Sequence, residues 1–202
     1  QMALKVQELL KKKLLENRRL YLVTDRTQFP KDSDDKFFDS VASAIKGGVD
    51  IVQLREKTAT AKEFTRIAKI LRQICSQHDV LFIINDRVDI ALAVGADGVH
   101  LGQEDIDIHT ARHILGDTAI IGNSTHKPED AIKAMNEGAD YIGVGPVFAT
   151  PTKPGRIPVG YDYVKWATEN VTIPFFAIGG IDETNISNVL EAGAKRVAVV
   201  RA

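Results

Sequence analysis

One cysteine in 202 residues, Cys75, excludes an internal disulfide framework. Its place within a helical pattern reads as a packed thiol. Excess charge of either sign is also missing: 26 Lys and Arg stand against 27 Asp and Glu, for a formal net charge of -1. No general attraction to nucleic acid or to a membrane is therefore expected. No apolar run approaches a membrane span, and no stretch reads as a signal peptide. The expectation is a cytoplasmic enzyme, with which a homo-oligomer is compatible. Asn123-Ser124-Thr125, Asn170-Val171-Thr172 and Asn185-Ile186-Ser187 match the glycosylation pattern. Patterns that short arise by chance and need a secretory context, so they are discounted.

What the chain does have is a phrase repeated four times: a Gly, a small residue, a charged residue, then an apolar run. It occurs as Gly48-Val49-Asp50, Gly95-Ala96-Asp97, Gly138-Ala139-Asp140 and Gly193-Ala194-Lys195. Each Gly reads as the left-handed stop of a helix, and each apolar run as a buried strand. Successive copies are separated by about twice the length that one compact strand-plus-helix unit needs, so each interval hides a second unit. The runs at 20–24, 80–84, 119–122 and 175–178 supply it. Eight short strands alternating with helical patterns predict an α/β protein of the (β/α)8 TIM-barrel class, whose function belongs to the loops after the strands.

In order, the pattern predicts strands at 20–24, 49–54, 80–84, 97–101, 119–122, 140–145, 174–178 and 196–200. Helices are predicted at 34–46, 60–77, 87–94, 107–115, 128–137, 161–169 and 182–192, the last opened by the capping signal Asp182-Glu183-Thr184. Residues 4–16 form an extra amphipathic helix, with Leu4, Leu9, Leu10, Leu14 and Leu15 set against Lys11, Lys12 and Lys13. It reads either as a lid on the closed end of the barrel or as the tail of an upstream region. Residues 1–17 are accordingly separated from a barrel domain at 18–202. The chain stops at Ala202 before any eighth helix, so that helix is expected to be missing from this sequence.

The predicted strand ends carry chemistry. After the second come Gln53, Arg55 and Lys57, which alternation turns to one side. Two cations and an amide suit a polyanion such as pyrophosphate. The alternative is a solvated loop with Arg55–Glu56 ion pairs. The third strand ends in Asn85-Asp86-Arg87, and Gly102-Gln103-Glu104-Asp105 follows the fourth. Either Asp alone reads as a helix cap, but the pair beside Arg55 and Lys57 reads as a Mg²⁺ site, since magnesium takes one or two carboxylates and completes its shell with water and phosphate oxygens. After the fifth strand, Ser124 could hydrogen-bond a heterocycle, and His126 is an acid–base or structural residue. His109 and His113, four apart on a helix, have no third ligand and read as surface residues. The long loop after the sixth strand carries Thr150, Thr152 and Lys153 among prolines, as functional lids do. Gly179 and Gly180 end the seventh strand, and Val200 and Arg201 the eighth, where barrels bind a substrate phosphate. Two anion centres result.

From about Arg19 to Ala202 the chain resembles the thiamine-phosphate synthase family, also called thiamine-phosphate pyrophosphorylase. The resemblance is carried by Gln53-Leu54-Arg55-Glu56-Lys57, Ile84-Asn85-Asp86-Arg87 and Asp97-Gly98-Val99-His100-Leu101-Gly102-Gln103. It continues in Gly143-Val144-Gly145-Pro146-Val147-Phe148 with Thr150, Thr152 and Lys153, then Ala177-Ile178-Gly179-Gly180-Ile181 and Val199-Val200-Arg201-Ala202. It implies an enzyme joining hydroxymethylpyrimidine diphosphate to a thiazole phosphate, with pyrophosphate released. It further implies that Gln53, Arg55, Lys57, Asn85, Ser124 and Lys153 bind the pyrimidine diphosphate, that Asp86 and Asp105 hold Mg²⁺, and that Thr150, Thr152, Gly180, Val200 and Arg201 contact the thiazole phosphate. Arg55, Lys57 and Lys153 would stabilise the leaving group. Two other readings remain open. A thiazole tautomerase of the same fold would use His126, and a non-catalytic thiamine-phosphate sensor would bind without turnover.

Overall fold

The computed structural model describes residues 2–30, 33–152 and 155–200. After α1 (Met2–Glu16), eight parallel strands alternate with helices: β1 (Leu20–Val23), α2 (Asp34–Lys46), β2 (Ile51–Leu54), α3 (Ala61–Ser76), β3 (Leu81–Asn85), α4 (Val88–Val94), β4 (Gly98–Leu101) and α5 (Ile108–Leu115). The second half runs β5 (Ile120–Thr125), α6 (Pro128–Asn136), β6 (Tyr141–Val144), α7 (Gly160–Asn170), β7 (Phe175–Ile178), α8 (Ile186–Glu191) and β8 (Val197–Val199). Each strand pairs with the next in sequence, and β8 pairs with β1 in the register Leu20↔Val197, which closes the barrel.

Alternation along the strands divides the core in two. Val52 and Leu54 of β2 and Phe82 and Ile84 of β3 face the helices. Ile51, Leu81, Ile83, Tyr21, Tyr141 and Phe176 fill the barrel interior, which Leu15 of α1 joins from below. On α3, Phe64, Ile67, Ala68, Leu71 and Cys75 form the buried stripe, and the Thr60 hydroxyl caps the helix by accepting from Glu63 N at 3.2 Å. Burial is the chief cause pushing the Cys75 thiol up to about 12, helped by nearby Asp97. That is a packed thiol.

Three of the four repeated phrases do more than end a helix. The Asp50 carboxylate accepts from Arg19 N (2.7 Å) and Leu20 N (3.2 Å), Asp97 from Phe82 N (2.8 Å), and Asp140 from Ile121 N (2.8 Å). Each carboxylate therefore ties the foot of one strand to the strand before it, satisfying a donor that the ladder leaves open. Arg72 on α3 also donates to Asp97 (3.0 Å), and Arg112 on α5 to Asp140 (2.6 Å). Lys11 of α1 reaches Asp140 at 2.9 Å. The fourth phrase carries Lys195 in this position and makes no such tie.

Two elements differ from the sequence pattern. β5 continues through the polar run to Thr125, pairing Gly122↔Tyr141 through Thr125↔Val144, with the Thr125 hydroxyl donating to Gly143 O at 2.8 Å. Polar side chains are accommodated because they are hydrogen-bonded near the barrel mouth. The helix expected at 182–192 begins only at Ile186: Asp182 accepts from Thr184 N (2.9 Å) and its hydroxyl (2.6 Å), and Asp182 N donates to Asn185 Oδ1 (3.0 Å). These local bonds favour a turn over a first helical turn.

Candidate active site

The C-terminal ends of the strands surround a cavity lined by Gln53 and Arg55 from β2 and its loop, Asn85 from β3, and Ser124 and His126 from β5 and its loop. Thr150 and Thr152 from the β6 loop, Gly179 after β7 and Val200 after β8 line it too. Seven of the residues expected from sequence thus stand on one wall or another: Gln53, Arg55, Asn85, Ser124, Thr150, Thr152 and Val200. Lys57, Asp86 and Asp105 form a separate cluster outside that lining. Gly180 is also outside it; its carbonyl accepts from Asn185 Nδ2 at 2.8 Å, and its neighbour Gly179 supplies the wall. Lys153 and Arg201 lie outside the described residues.

Backbone geometry positions both banks. Thr24 N donates to Gln53 O (2.9 Å), while Arg55 N donates to the Thr24 hydroxyl (3.2 Å), so β1 fixes the exit of β2. Glu56 turns away to Arg26, 3.7 Å distant, and makes no ion pair with Arg55. Burial is the main cause raising the Glu56 pKa, and Arg26 opposes it. On the other bank, Val147 N donates to Ile178 O (2.9 Å) and Phe148 N to Gly179 O (3.0 Å), which stitches the β6 loop to the end of β7. Gly180 has φ +64, and a side chain there would press on Ala149 O and Phe148 at 2.8 Å. Glycine lets that loop close over the strand end.

Neither Asp86 nor Asp105 caps a helix. Asp86 sits at φ 62, an uncommon conformation for a residue with a side chain. Its carboxylate accepts from Lys57 and interacts with that of Asp105. Asp105 accepts from Gly102 N at 2.6 Å, and the cap of α5 is instead Asp107, which accepts from Thr110 N at 2.7 Å. Burial tends to raise Asp86, but the bonds to Lys57 and Asp105 prevail and hold it below the ordinary carboxylate range. Asp105 moves the opposite way, raised first by burial and then by Asp86. Among the described residues no group of three or more His, Cys, Asp or Glu could hold a metal. The carboxylates stand as a pair.

Three wall residues were not among the expected site residues: Tyr21, Tyr141 and His100, the last although it stands within the motif at 97–103. Gln53 Nε2 donates to Tyr21 Oη (2.8 Å), which is 2.7 Å from Tyr141 Oη; this in turn is 2.9 Å from His100 Nδ1. His100 Nε2 lies 2.8 Å from Ser124 Oγ. Gly122 makes the space for Tyr141, since a side chain there would overlap the phenol ring. A polar residue opposite a glycine is the signal that could have found His100 and Tyr141, both paired with Gly122; Tyr21, opposite Ile51 and Ala198, offers none. His109 and His113 lie exposed on α5, away from the cavity.

Residues 20–202 match the family model described as thiamine monophosphate synthase. The chain is 52% identical over 183 residues to the thiamine-phosphate synthase of Synechocystis sp., an alignment covering 91% of this chain and 51% of that protein. It is 47% identical over 185 residues to the thiamine-phosphate synthase of Thermus thermophilus, covering 91% of this chain and 88% of that one. It thus spans about half the length of the cyanobacterial relatives it matches. The solved thiamine phosphate pyrophosphorylase from Pyrococcus furiosus superposes with a TM-score of 0.82 at 41% identity, covering 96% of this chain and 88% of that chain. An N-acetylmannosamine-6-phosphate 2-epimerase from Clostridium perfringens, 13% identical with a TM-score of 0.68 over 93% of this chain and 89% of its own, shares the fold alone.

Proposed function

This chain belongs to the thiamine monophosphate synthase family, and we propose that its barrel joins hydroxymethylpyrimidine diphosphate to a thiazole phosphate, giving thiamine phosphate and pyrophosphate. The observation that carries the reading is the cluster of Lys57, Asp86 and Asp105, with Lys57 two residues beyond Arg55 in the chain. Two interacting carboxylates call for a shared proton or a cation, and Lys57 beside them suits a departing polyanion.

Gln53, Asn85 and Ser124 bind and orient the pyrimidine, while Arg55, Lys57 and Lys153 take the diphosphate. Thr150, Thr152, Gly180, Val200 and Arg201 hold the thiazole phosphate. Asp86 and Asp105 fit a magnesium ion, which takes few protein carboxylates. Bound there, Mg²⁺ would neutralise charge that develops on pyrophosphate. In the reaction the CH₂–O bond breaks with its electron pair leaving on pyrophosphate, and the thiazole nitrogen supplies the pair for the new C–N bond. Arg55, Lys57 and Lys153 stabilise the leaving charge, an interaction that grows toward the transition state. The attacking nitrogen carries no proton, so no side chain has to act as base. His126, which proton transfer on a thiazole would require, engages the Gly145 carbonyl through Nδ1 at 2.7 Å.

The test supplies the purified chain with both substrates, with and without Mg²⁺, and follows pyrophosphate and thiamine phosphate. The expected result is equimolar product formation that stops when the ion is chelated. Conversion of the thiazole phosphate alone would point to the tautomerase, and tight product binding without turnover to a sensor. Either would overturn the reading. No helix among the described residues is long and apolar enough to cross a membrane.

A further inference from the structure

A line of hydrogen bonds crosses the barrel interior, and its direction decides what the cavity offers a ligand. An amide nitrogen donates and does not accept. Gln53 Nε2 therefore donates to Tyr21 Oη at 2.8 Å, which leaves Tyr141 Oη, 2.7 Å away, as the remaining acceptor among the described residues for the single Tyr21 proton. Burial pushes both phenols well above the ordinary tyrosine range, so each keeps one proton to give at neutral pH. Tyr141, having accepted from Tyr21, directs its own proton to His100 Nδ1 at 2.9 Å, the remaining described group in hydrogen-bond contact with that hydroxyl. With Nδ1 accepting, a neutral imidazole carries its hydrogen on Nε2 and donates to Ser124 Oγ at 2.8 Å. The Ser124 hydroxyl proton has no other bonded acceptor among the described residues, and Ser124 lines the cavity.

We propose that Tyr21, Tyr141 and His100 are positioning residues that lock His100 as the Nε2–H tautomer and present the Ser124 hydroxyl to the ligand as a hydrogen-bond donor. The site thus selects, at Ser124, an acceptor atom rather than a donor. In the pyrimidine substrate, a clause that rests on the proposed function, the unprotonated ring nitrogens are such acceptors. Five strands, β1, β2, β4, β5 and β6, contribute one residue each, so the orientation is built into the barrel and does not depend on a mobile loop. Hydrogen bonds in such a chain polarise one another, which makes Ser124 a better donor than an isolated serine.

The tautomer is measured directly on the ligand-free, ¹⁵N-labelled chain by long-range ¹H–¹⁵N correlation, with His100 assigned through His100→Gln. A protonated Nε2 and a bare Nδ1 are expected. A protonated Nδ1 would reverse the whole chain, make Ser124 an acceptor and overturn the proposal. Tyr141→Phe removes the donor to Nδ1 and should bring up the other tautomer. In steady-state coupling it should raise KM for the pyrimidine diphosphate about tenfold, while KM for the thiazole phosphate stays within about twofold. Should Tyr141→Phe not fold, Tyr21→Phe interrupts the chain one bond earlier and is read in the same way. Unchanged tautomer and unchanged KM in a folded variant would overturn the proposal. The Nε2–H tautomer found in a chain without coupling activity would sustain the relay and overturn only the proposed reaction.

Discussion

The same side chain, an aspartate at a strand end, does opposite things at the two ends of this barrel. At the N-terminal end Asp50, Asp97 and Asp140 each accept backbone N–H groups, and Asp97 and Asp140 also hold an arginine from the preceding helical layer. Their lone pairs are matched by donors within the fold. At the C-terminal end Asp86 and Asp105 face each other, with Lys57 on one side. One of that pair is held below and the other above the ordinary range. A carboxylate fully matched by its own fold stabilises the fold, whereas a pair left partly opposed keeps affinity in reserve for something from outside. Position along the strand axis, not residue type, separates structure from chemistry here.

The largest effect is expected at Asp86. Because it sits at φ 62, Asp86→Asn is the cleaner variant: asparagine tolerates the left-handed region, whereas alanine would add backbone strain. Coupling should fall by at least ~10²-fold in kcat/KM, on the scale of removing one strong electrostatic stabiliser. Thermal stability should hardly move, and thiazole-phosphate affinity should stay near that of the parent. Measured together, turnover, Mg²⁺ dependence and Tm decide it; Asp86→Asn with parental turnover at low Mg²⁺ would remove Asp86 from the metal site.

Asp140 should break the other half of the comparison. Its carboxylate joins Lys11 of α1, Arg112 of α5 and the Ile121 amide, with 11% of the side chain exposed. Asp140→Ala takes one acceptor from two cations and an N–H, which should cost about 2 kcal/mol, less than a fully broken buried pair because Arg112 keeps the Ala119 and Gly138 carbonyls. For a chain of this size that corresponds to a fall in Tm of roughly 4–8 °C. Turnover per folded molecule should be unchanged. Chemical denaturation with parallel activity assays checks both halves, and lost activity in a fully folded variant would show that the two ends are coupled.

Sequence made the barrel legible because its signals are local and repeated. A glycine stop and an apolar run recur along the chain, and α2, predicted at 34–46, is found at Asp34–Lys46. The same phrase hid its second meaning: the Asp after each Gly looked like a charged spacer, since its partner amide lies about 15 to 30 residues away. At the mouth, motif residues such as Gln53, Arg55 and Asn85 were readable as polar groups at the ends of apolar strands. Tyr21 and Tyr141 were not, because a tyrosine in an apolar strand is indistinguishable from core until the barrel closes and Gly122 is seen to make room. Ser124 was expected in a loop and lies within β5, since hydrogen bonds that admit a polar run into a strand come from neighbouring strands, not from its own sequence.

The smallest effect, and the sharpest test of the comparison, lies at the phrase that departs from the pattern. Lys195 occupies the position of Asp50, Asp97 and Asp140, and the register Ala177↔Val197 sets residue 195 opposite Phe175, at the foot of β7. Lys195 is exposed, so an aspartate there has room. It would also stand near Arg19, whose Nη1 lies 3.4 Å from the Lys195 carbonyl, and near Arg196, whose pKa is lowered by burial and then by Arg19. Lys195→Asp should therefore add a backbone tie and relieve some like-charge repulsion. The gain expected for one partly exposed hydrogen bond is about 0.5–1 kcal/mol, or roughly 1–4 °C in Tm, with turnover unaffected. The new carboxyl would have its pKa lowered in the folded state by the amide and the arginines. Its stabilisation should therefore be full above the ordinary carboxylate range and shrink as pH falls through it, where protonation removes the charge. A variant no more stable than the parent at neutral pH would mean that the aspartates at the other three strand feet hold the barrel through their arginine and lysine partners rather than through the backbone N–H.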